Sequence, residues 1–468
     1  MTDILLKAYH SLPGPLRSAA ANLRGLYLRS WRYGPETDRL VEEALDRESW
    51  SPQQWRSWQE ERLAYVLHRA ATQVPYYRES WAARRRNGDR SSWEYLENWP
   101  ILEKDPLREN PTAFVAEDCD LRRMFHEHTS GTTGKPISVW LSRDTVRNWY
   151  ALNEARVRKW NGVSRRDRWA MIGGQLVTPV NERRPPFWIW SNSLNQLYMS
   201  SYHLAPDLIR FYLDAMSRYR VTYLSGYSSS LYALALGFLE LGRQDFSMTV
   251  AFTSAEPVHQ YQRDAITQAF HCPVRETYGM TEIVAAASEC ASGRKHLWPE
   301  VGWVEVVESD KTLPVGTSGA IVCTGLLNTD MPLIRYRNGD RGQLSREQET
   351  CQCGRKLPLI ESIDGRTDDL LYTMDGRQIG RLDPIFKADL PIREAQIVQE
   401  ALDCIRVRYV PTSGFKTDHE RMIIQRLQAR MGGVKVVMEP LLQVPRDANG
   451  KFRAVISKLH SKGVRAAP

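Results

Sequence analysis

The sequence predicts an α/β protein: a large N-terminal domain of layered α/β sheets, followed by a smaller, mobile C-terminal α+β domain. Three observations carry this. From Phe125 to about Asp364, short β-type runs alternate with helical periods, the pattern of α/β layers. At 468 residues the chain is long enough for two or three domains and at least one large core. After Asp364 the polar stretch Gly365-Arg366-Thr367-Asp368-Asp369 breaks the alternation. The remaining segment, about a hundred residues, suits a small α+β domain. The expected division is therefore 1–366 and 367–468.

Taken in order, residues 1–104 read as largely helical. Between Leu5 and Trp31, Leu5, Leu6, Tyr9, Leu12 and Leu16 alternate with Lys7, Arg17, Arg24 and Arg29, with an interruption at Pro13-Gly14-Pro15. Such a basic amphipathic segment (residues 4–31) either touches a membrane surface weakly or packs on its own domain. Internal packing is the commoner fate of an apolar stripe. Helical patterns continue over Trp55–Gln73 and Tyr76–Arg86 and end at Trp99-Pro100-Ile101-Leu102-Glu103-Lys104. In the alternating region the helical stretches are Asp144–Lys159, Asp207–Tyr219, Ser230–Leu241 and His259–Phe270. The strands between them are Trp169–Ile172, Val221–Leu224, Thr249–Phe252, Val274–Thr277 and Ala320–Thr324. The C-terminal segment offers strands Ile405–Val410 and Val434–Met438 and a helix over Asp418–Met431.

Composition narrows the function classes. Hydrophobic residues at 42% and charged residues at 25% are ordinary for a soluble globular chain. No apolar run is long enough to span a bilayer, and the N-terminus lacks the apolar core and cleavage site of a secretory signal. The net charge of +8 is spread over short clusters such as Arg84-Arg85-Arg86. With no nucleic-acid module beside them, these read as solvated faces, and no nucleic-acid partner is expected. Seven cysteines, an odd number in a long chain, argue for a reducing cytoplasm.

The chemistry concentrates in short loops. His128-Thr129-Ser130-Gly131-Thr132-Thr133-Gly134-Lys135-Pro136 packs hydroxyls, two glycines and a lysine between apolar runs. Backbone N–H groups, hydroxyls and a point charge can surround phosphate oxygens there. The spacing is not that of a Walker loop, because only two residues separate Gly131 from Gly134 and Pro136 follows Lys135. Further on come Thr253-Ser254-Ala255-Glu256-Pro257, then Glu276-Thr277-Tyr278-Gly279-Met280-Thr281-Glu282, then Tyr336-Arg337-Asn338-Gly339-Asp340, and finally Asn449-Gly450-Lys451-Phe452. If ATP is the ligand, Tyr278 offers a flat face to adenine, Glu282 is a hard oxygen ligand for Mg2+, Asp340 can accept the ribose hydroxyls, and Lys451 can neutralise charge at the α-phosphate. Singly each is an ordinary turn or surface residue; together, in this order, they are specific.

That order resembles the adenylate-forming superfamily of acyl-CoA synthetases, luciferases and peptide-synthetase adenylation domains, from about Phe125 to Lys458. The Thr-Gly-Lys-Pro variant at 133–136, with Cys351-x-Cys353-Gly354-Arg355, is similar to the phenylacetate–CoA ligase branch. Val74-Pro75-Tyr76-Tyr77-Arg78, the Pro100–Lys104 stretch and Ser200-Ser201-Tyr202-His203-Leu204 resemble its CapK-like members, which often accompany polysaccharide biosynthesis. The resemblance implies ATP-dependent conversion of a small carboxylic acid to an acyl-adenylate, then transfer to CoA or to an amine. It implies that Ser130, Gly131, Thr132, Thr133, Gly134 and Lys135 hold the β- and γ-phosphates. Ser254, Ala255 and Glu256 would line the adenine, with Tyr278 and Gly279 against it. Thr281 would touch the α-phosphate and Glu282 hold Mg2+. Asp340 and Arg366 would hold the ribose, Lys451 would drive adenylation, and Asp368 would be the hinge. Two departures are visible: Asn338 replaces a usual threonine, and Asp375–Asp383 carries only part of the sequence that shapes the CoA tunnel. Adenylation is accordingly better supported than CoA transfer. A rival reading of another class is a non-catalytic nucleotide-binding scaffold.

Two further expectations concern a metal and a pocket. Cys290 and His296, with five residues between them, and Cys351 and Cys353, flanking one residue, form a Cys3His set, a common arrangement for structural Zn2+. Buried free cysteines acting as small apolar groups are the alternative. Some relatives in the branch carry a metal here, and such a site would staple a helix after Glu282 to the loop before the hinge. The acid pocket is expected between the Gly226-Tyr227-Ser228 turn, Tyr278, and Trp188, Trp190 and His203. The tryptophans either line a site or plug a core edge.

Overall fold

The computed structural model describes residues 9, 12, 14–129, 137–174, 177–178, 182–205, 207–346, 351–366, 371–374, 378–379, 385, 390–446 and 452–459. Among these, one sheet of thirteen strands organises the chain. Its parallel half contains β3 (Trp169–Gly173), β5 (Gln196–Ser200), β6 (Tyr223–Tyr227), β7 (Val250–Ser254) and β8 (Val274–Gly279). The strand β4 (Trp188–Ser191) closes one edge, antiparallel to β5. Beyond β8 the sheet turns antiparallel through β9 (Ala286–Glu289), β10 (Lys295–Leu297), β15 (Leu359–Arg366), β14 (Tyr336–Leu344), β13 (Ser318–Gly325) and β11 (Gly302–Glu308), to β12 (Lys311–Thr312).

The parallel strands bury apolar side chains such as Ile172, Leu197, Leu224 and Phe252 because helices cover them. Leu224 and Ala251 on the sheet pack against Leu213 and Met216 of helix Ile209–Arg218, Leu231, Leu234 and Phe238 of helix Ser228–Glu240, and Ile266 and Phe270 of helix Gln260–Phe270. Gly226 is required where β6 crosses β3, since a Cβ there would lie 2.9 Å from the Ile172 carbonyl oxygen. A second core joins the N-terminal helices to the antiparallel half. Its helix Pro52–Gln73 starts at a capping box between Ser51 and Gln54, with proline in the first turn. The Pro100–Lys104 stretch docks on β14: the Leu102 N–H donates to the Arg335 carbonyl (2.9 Å), and the Arg337 N–H to that of Leu102 (3.0 Å).

The expected helix over Asp144–Lys159 is an α-helix only at Arg143–Asn153. It widens to a π-turn over Glu154–Arg158 and tightens to a 3-10 turn over Lys159–Asn161. The wider turn brings three consecutive residues, Glu154, Ala155 and Arg156, inside. Arg156 then meets Glu300 in a buried two-armed pair, both N–O distances 2.7 Å. Removing one partner of such a pair strands the other charge. Arg156→Ala is expected to cost about 3–5 kcal/mol, read from the shift in urea midpoint.

The C-terminal segment forms its own four-stranded sheet in the order β20 (Lys435–Pro440), β19 (Cys404–Pro411), β18 (Ile392–Ala401), β21 (Val455–Ser457). Helix Thr417–Met431 packs Ile423 and Leu427 against its Ile397, Ile405 and Val407. The polar stretch after Asp364 differs from expectation, because Gly365 and Arg366 are still strand, paired with Arg341 and Asp340. Among the described residues no helix is long and apolar enough to cross a membrane.

Candidate active site

The parallel strands β6, β7 and β8 deliver three consecutive loops to one end of the sheet, their carboxyl ends, where α/β folds place ligands. The β7 loop contains Ala255 at φ +62, an uncommon backbone state for alanine. Glu256 follows and is buried. It accepts the Ser229 N–H at 3.0 Å and the Ser228 hydroxyl at 3.2 Å, capping helix Ser228–Glu240. It also accepts the Phe452 N–H at 2.6 Å. Burial raises its carboxyl pKa, and these donors oppose the rise. One carboxylate thus ties the core to the C-terminal segment, at the residue that follows Lys451 in sequence.

The β8 loop meets β14. The Tyr278 hydroxyl donates to Asp340 at 2.7 Å, the Asn338 amide donates to the Tyr278 oxygen at 2.8 Å, and the Asp340 N–H donates to the Asn338 carbonyl at 2.9 Å. The departure at Asn338 therefore has a use: its side chain donates and accepts through two separate atoms, where threonine has a single hydroxyl oxygen. Burial, then the Asp340 charge, holds the Tyr278 phenol well above its ordinary pKa, so it stays a donor. Glu282, also buried, accepts the Tyr336 hydroxyl at 2.9 Å. Thr281 lies beside it in the same turn. Motif order alone does not single out Tyr336. What places it is the pairing of β14 with β13, where Tyr336 lies opposite Cys323. Arg337, next along the strand, pairs with Glu103 at 2.8 Å. Register sets the Arg366 backbone opposite Asp340.

Ser130, Gly131, Thr132, Thr133, Gly134, Lys135, Asp368 and Lys451 lie outside the described residues. The strands flanking the first six do pair: β1 (Phe125–His128) is antiparallel to β2 (Ser138–Leu141). Thr129 and Ile137 close the neck with two hydrogen bonds of 2.9 Å.

The pocket expectation separates into parts. Tyr227 ends β6 rather than lying in a turn, and the Ser228 hydroxyl is spent on Glu256 and the Pro257 carbonyl. His203 is buried, stacked on Phe187 at 4.7 Å, with its nitrogens toward Ser200 (3.3 Å) and Thr178 (3.5 Å). Trp188 and Trp190 lie on β4, with β5 and β3 between them and β6. That is about 14 Å at the usual strand spacing. Trp190 stacks on Tyr219 at 4.9 Å, and Trp188 packs on Phe187 and Tyr212. Both tryptophans plug a core edge.

Cys290, His296, Cys351 and Cys353 do converge, with all ligand atoms within 4.8 Å of one another. Cys290 and Cys351 sulfurs are 3.8 Å apart, and the Cys353 sulfur is 3.4 Å from His296 Nε2. A tetrahedral ion with Zn–S of about 2.3 Å sets its sulfurs about 3.75 Å apart, so the set fits zinc. His296 Nδ1 donates to the Leu357 carbonyl at 3.1 Å, leaving Nε2 toward the sulfurs. Burial lowers the His296 pKa to about 4, keeping the ring neutral, and raises the Cys290 thiol to about 11. The elements joined differ from expectation: the chain after Glu282 enters β9 rather than a helix, and the cluster links the β9–β10 hairpin to the loop before β15.

Loops at the carboxyl ends of parallel strands, tied by the Phe452–Glu256 hydrogen bond to the segment leading into a separate small sheet, have the layout of an adenylate-forming ligase. Residues 56–329 match the AMP-binding enzyme family and residues 371–458 the CapK C-terminal domain. The first match spans more than half of the chain, and the chain belongs to the AMP-binding enzyme family. It is 24% identical to Protein CapK of Staphylococcus aureus over 77% of this chain and 80% of that protein. It is 26% identical to phenylacetate-coenzyme A ligase of Thermus thermophilus over 91% of this chain and 99% of that protein. Among solved structures, 2-hydroxyisobutyryl-CoA ligase in its postadenylation state superposes with a TM-score of 0.68 at 20% identity, covering 89% of this chain and 92% of that one.

Proposed function

We propose that this ligase uses ATP and Mg2+ to activate a small carboxylic acid and passes the acyl group to CoA. The acid's carboxylate oxygen attacks the α-phosphorus and the bond to pyrophosphate breaks. The acceptor sulfur then attacks the acyl carbon and AMP leaves. The observation that supports the reading is the bonded group Tyr278, Asn338 and Asp340 on β8 and β14, with the segment after Lys451 tied to the neighbouring β7 loop by the Phe452–Glu256 hydrogen bond. Asp340 would hold the ribose, with Arg366 beside it, and Tyr278 would lie along the adenine with Ser254, Ala255 and Gly279. Glu282 would hold Mg2+, which supplies charge neutralisation at the phosphates, and Thr281 would reach the α-phosphate. The loop 130–135 would take the β- and γ-phosphates. CoA as acceptor is supported by the match to phenylacetate-coenzyme A ligase along nearly the whole chain. Transfer to an amine is the second reading, favoured by the incomplete tunnel sequence at Asp375–Asp383. Division at Asp368, with rotation of 367–468 between the two steps, completes the proposal.

The test is acid-dependent exchange of labelled pyrophosphate into ATP, across aryl, fatty, hydroxy and amino acids. Exchange with at least one acid supports the reading. Silence across the panel with ATP binding intact overturns it in favour of a nucleotide-binding scaffold. Supplying CoA or amines to the active acid then separates thioester from amide. Within this reading Tyr278→Phe keeps the ring and deletes the hydroxyl between Asn338 and Asp340. The KM for ATP is expected to rise about 3- to 10-fold with kcat nearly unchanged, the size of one lost hydrogen bond.

A further inference from the structure

Helix Gly14–Arg32 covers the edge strand β4 and is fixed there. The Asn22 amide donates to the Trp190 carbonyl at 3.2 Å and accepts the Asn192 N–H at 3.0 Å. Gly25 lets the helix press close, since a Cβ there would come within 2.3 Å of the Ser191 hydroxyl. Trp31 is buried against Phe125. This face satisfies an open sheet edge.

The opposite face is left bare. Leu16, Leu23, Leu26 and Tyr27 are 54%, 68%, 55% and 50% exposed. At 3.6 residues per turn they occupy one arc of about 100°. Arg17 and Arg24 border one side of that arc, Arg29 lies on the packed side and donates to the Ser193 carbonyl at 3.5 Å, and the helix contains no Asp or Glu. Glu127, half-buried on β1 near Arg24 and Arg32, lies on the inner side. Packing on the protein's own body therefore accounts for only one face of the helix. An apolar ridge flanked by arginines, without a carboxylate of its own, complements the headgroup boundary of an anionic bilayer: leucines enter the acyl region and guanidiniums meet phosphates.

We propose that this ridge seats the enzyme on an anionic lipid surface. The contact is peripheral and reversible, because four apolar side chains and two arginines make a weak anchor. It also brings β1 and β2, the strands flanking 130–136, toward the bilayer, since Tyr27 and Trp31 both pack on Phe125. Seating of this kind does not depend on which acid is activated.

The experiment is co-sedimentation of the full chain with phosphatidylcholine vesicles, with and without about a third phosphatidylglycerol, at low and high salt. Wild type is expected to pellet with anionic vesicles, and added salt to weaken it. The triple variant Leu16→Ser, Leu23→Ser, Leu26→Ser is expected to lose at least about tenfold in partitioning while keeping its melting temperature, since these side chains are exposed. Failure of wild type to pellet with any vesicle overturns the proposal, as does undiminished pelleting of the variant. Concentration-dependent dimerisation that the same substitutions abolish, without vesicle binding, also overturns it and assigns the ridge to a second copy of the chain.

Discussion

Lys451→Ala is expected to lower acid-dependent pyrophosphate exchange by at least about 10²- to 10³-fold, the usual cost of removing a group that meets charge developing in the transition state. The geometry makes the prediction selective. Phe452, next in sequence, donates its N–H to Glu256, and the same carboxylate caps the helix that follows β6. The groups proposed for adenine and ribose, Tyr278, Asn338 and Asp340, lie on β8 and β14 and bond to one another. ATP binding by calorimetry should therefore survive the substitution. Transfer from a supplied acyl-adenylate to the acceptor should survive too, because that step does not build charge on a leaving pyrophosphate. Full exchange activity in the variant would remove Lys451 from the mechanism. Loss of ATP binding as well would point to misfolding of the segment, which a circular-dichroism melt would reveal.

Four of the five parallel strands were legible because they are short runs with apolar residues between helices of ordinary length, while β5 was not among the expected strands. The ends of β7 and β8 fell within a few residues of expectation for the same reason. The antiparallel half was less legible. That β14 lies between β13 and β15, and that β10 reaches β15, depends on pairings between distant segments that no local pattern encodes. The π-turn at Glu154–Arg158 was hidden because its cause, the Arg156–Glu300 pair, spans separate parts of the chain. Trp188 and Trp190 illustrate a different limit. Aromatic residues in a proline-flanked stretch suit a pocket and a core edge equally, and only their stacking on Tyr212 and Tyr219 decides for the edge. Asn338 shows the converse. A departure from a family pattern reads as damage in sequence, yet its amide joins Tyr278 to the Asp340 backbone. The amphipathic N-terminal segment was ambiguous because both readings use one face each.

The metal cluster gives the second large expectation. Protein purified without chelator should carry about one zinc per chain by elemental analysis, and Cys351→Ser should carry almost none. The reason is geometric. The 3.8 Å between the Cys290 and Cys351 sulfurs matches the edge of a zinc tetrahedron, and His296 presents Nε2 because Nδ1 is committed to the Leu357 carbonyl. Without an ion, three sulfurs and an imidazole would be held together only by weak hydrogen bonds to sulfur. With one, the ion links the β9–β10 hairpin to the loop leading into β15, the strand that carries Arg366 opposite Asp340. Binding only to the folded state at about a thousand times Kd stabilises by about 4 kcal/mol. The variant, or wild type after strong chelation, is therefore expected to melt about 5–10 °C lower. Restoring zinc should recover wild type but not the variant. Cys404→Ser, on β19 of the separate sheet, is the control and should leave zinc content unchanged. A chain that purifies without metal and melts unchanged in chelator would reduce the four residues to a packed thiol cluster.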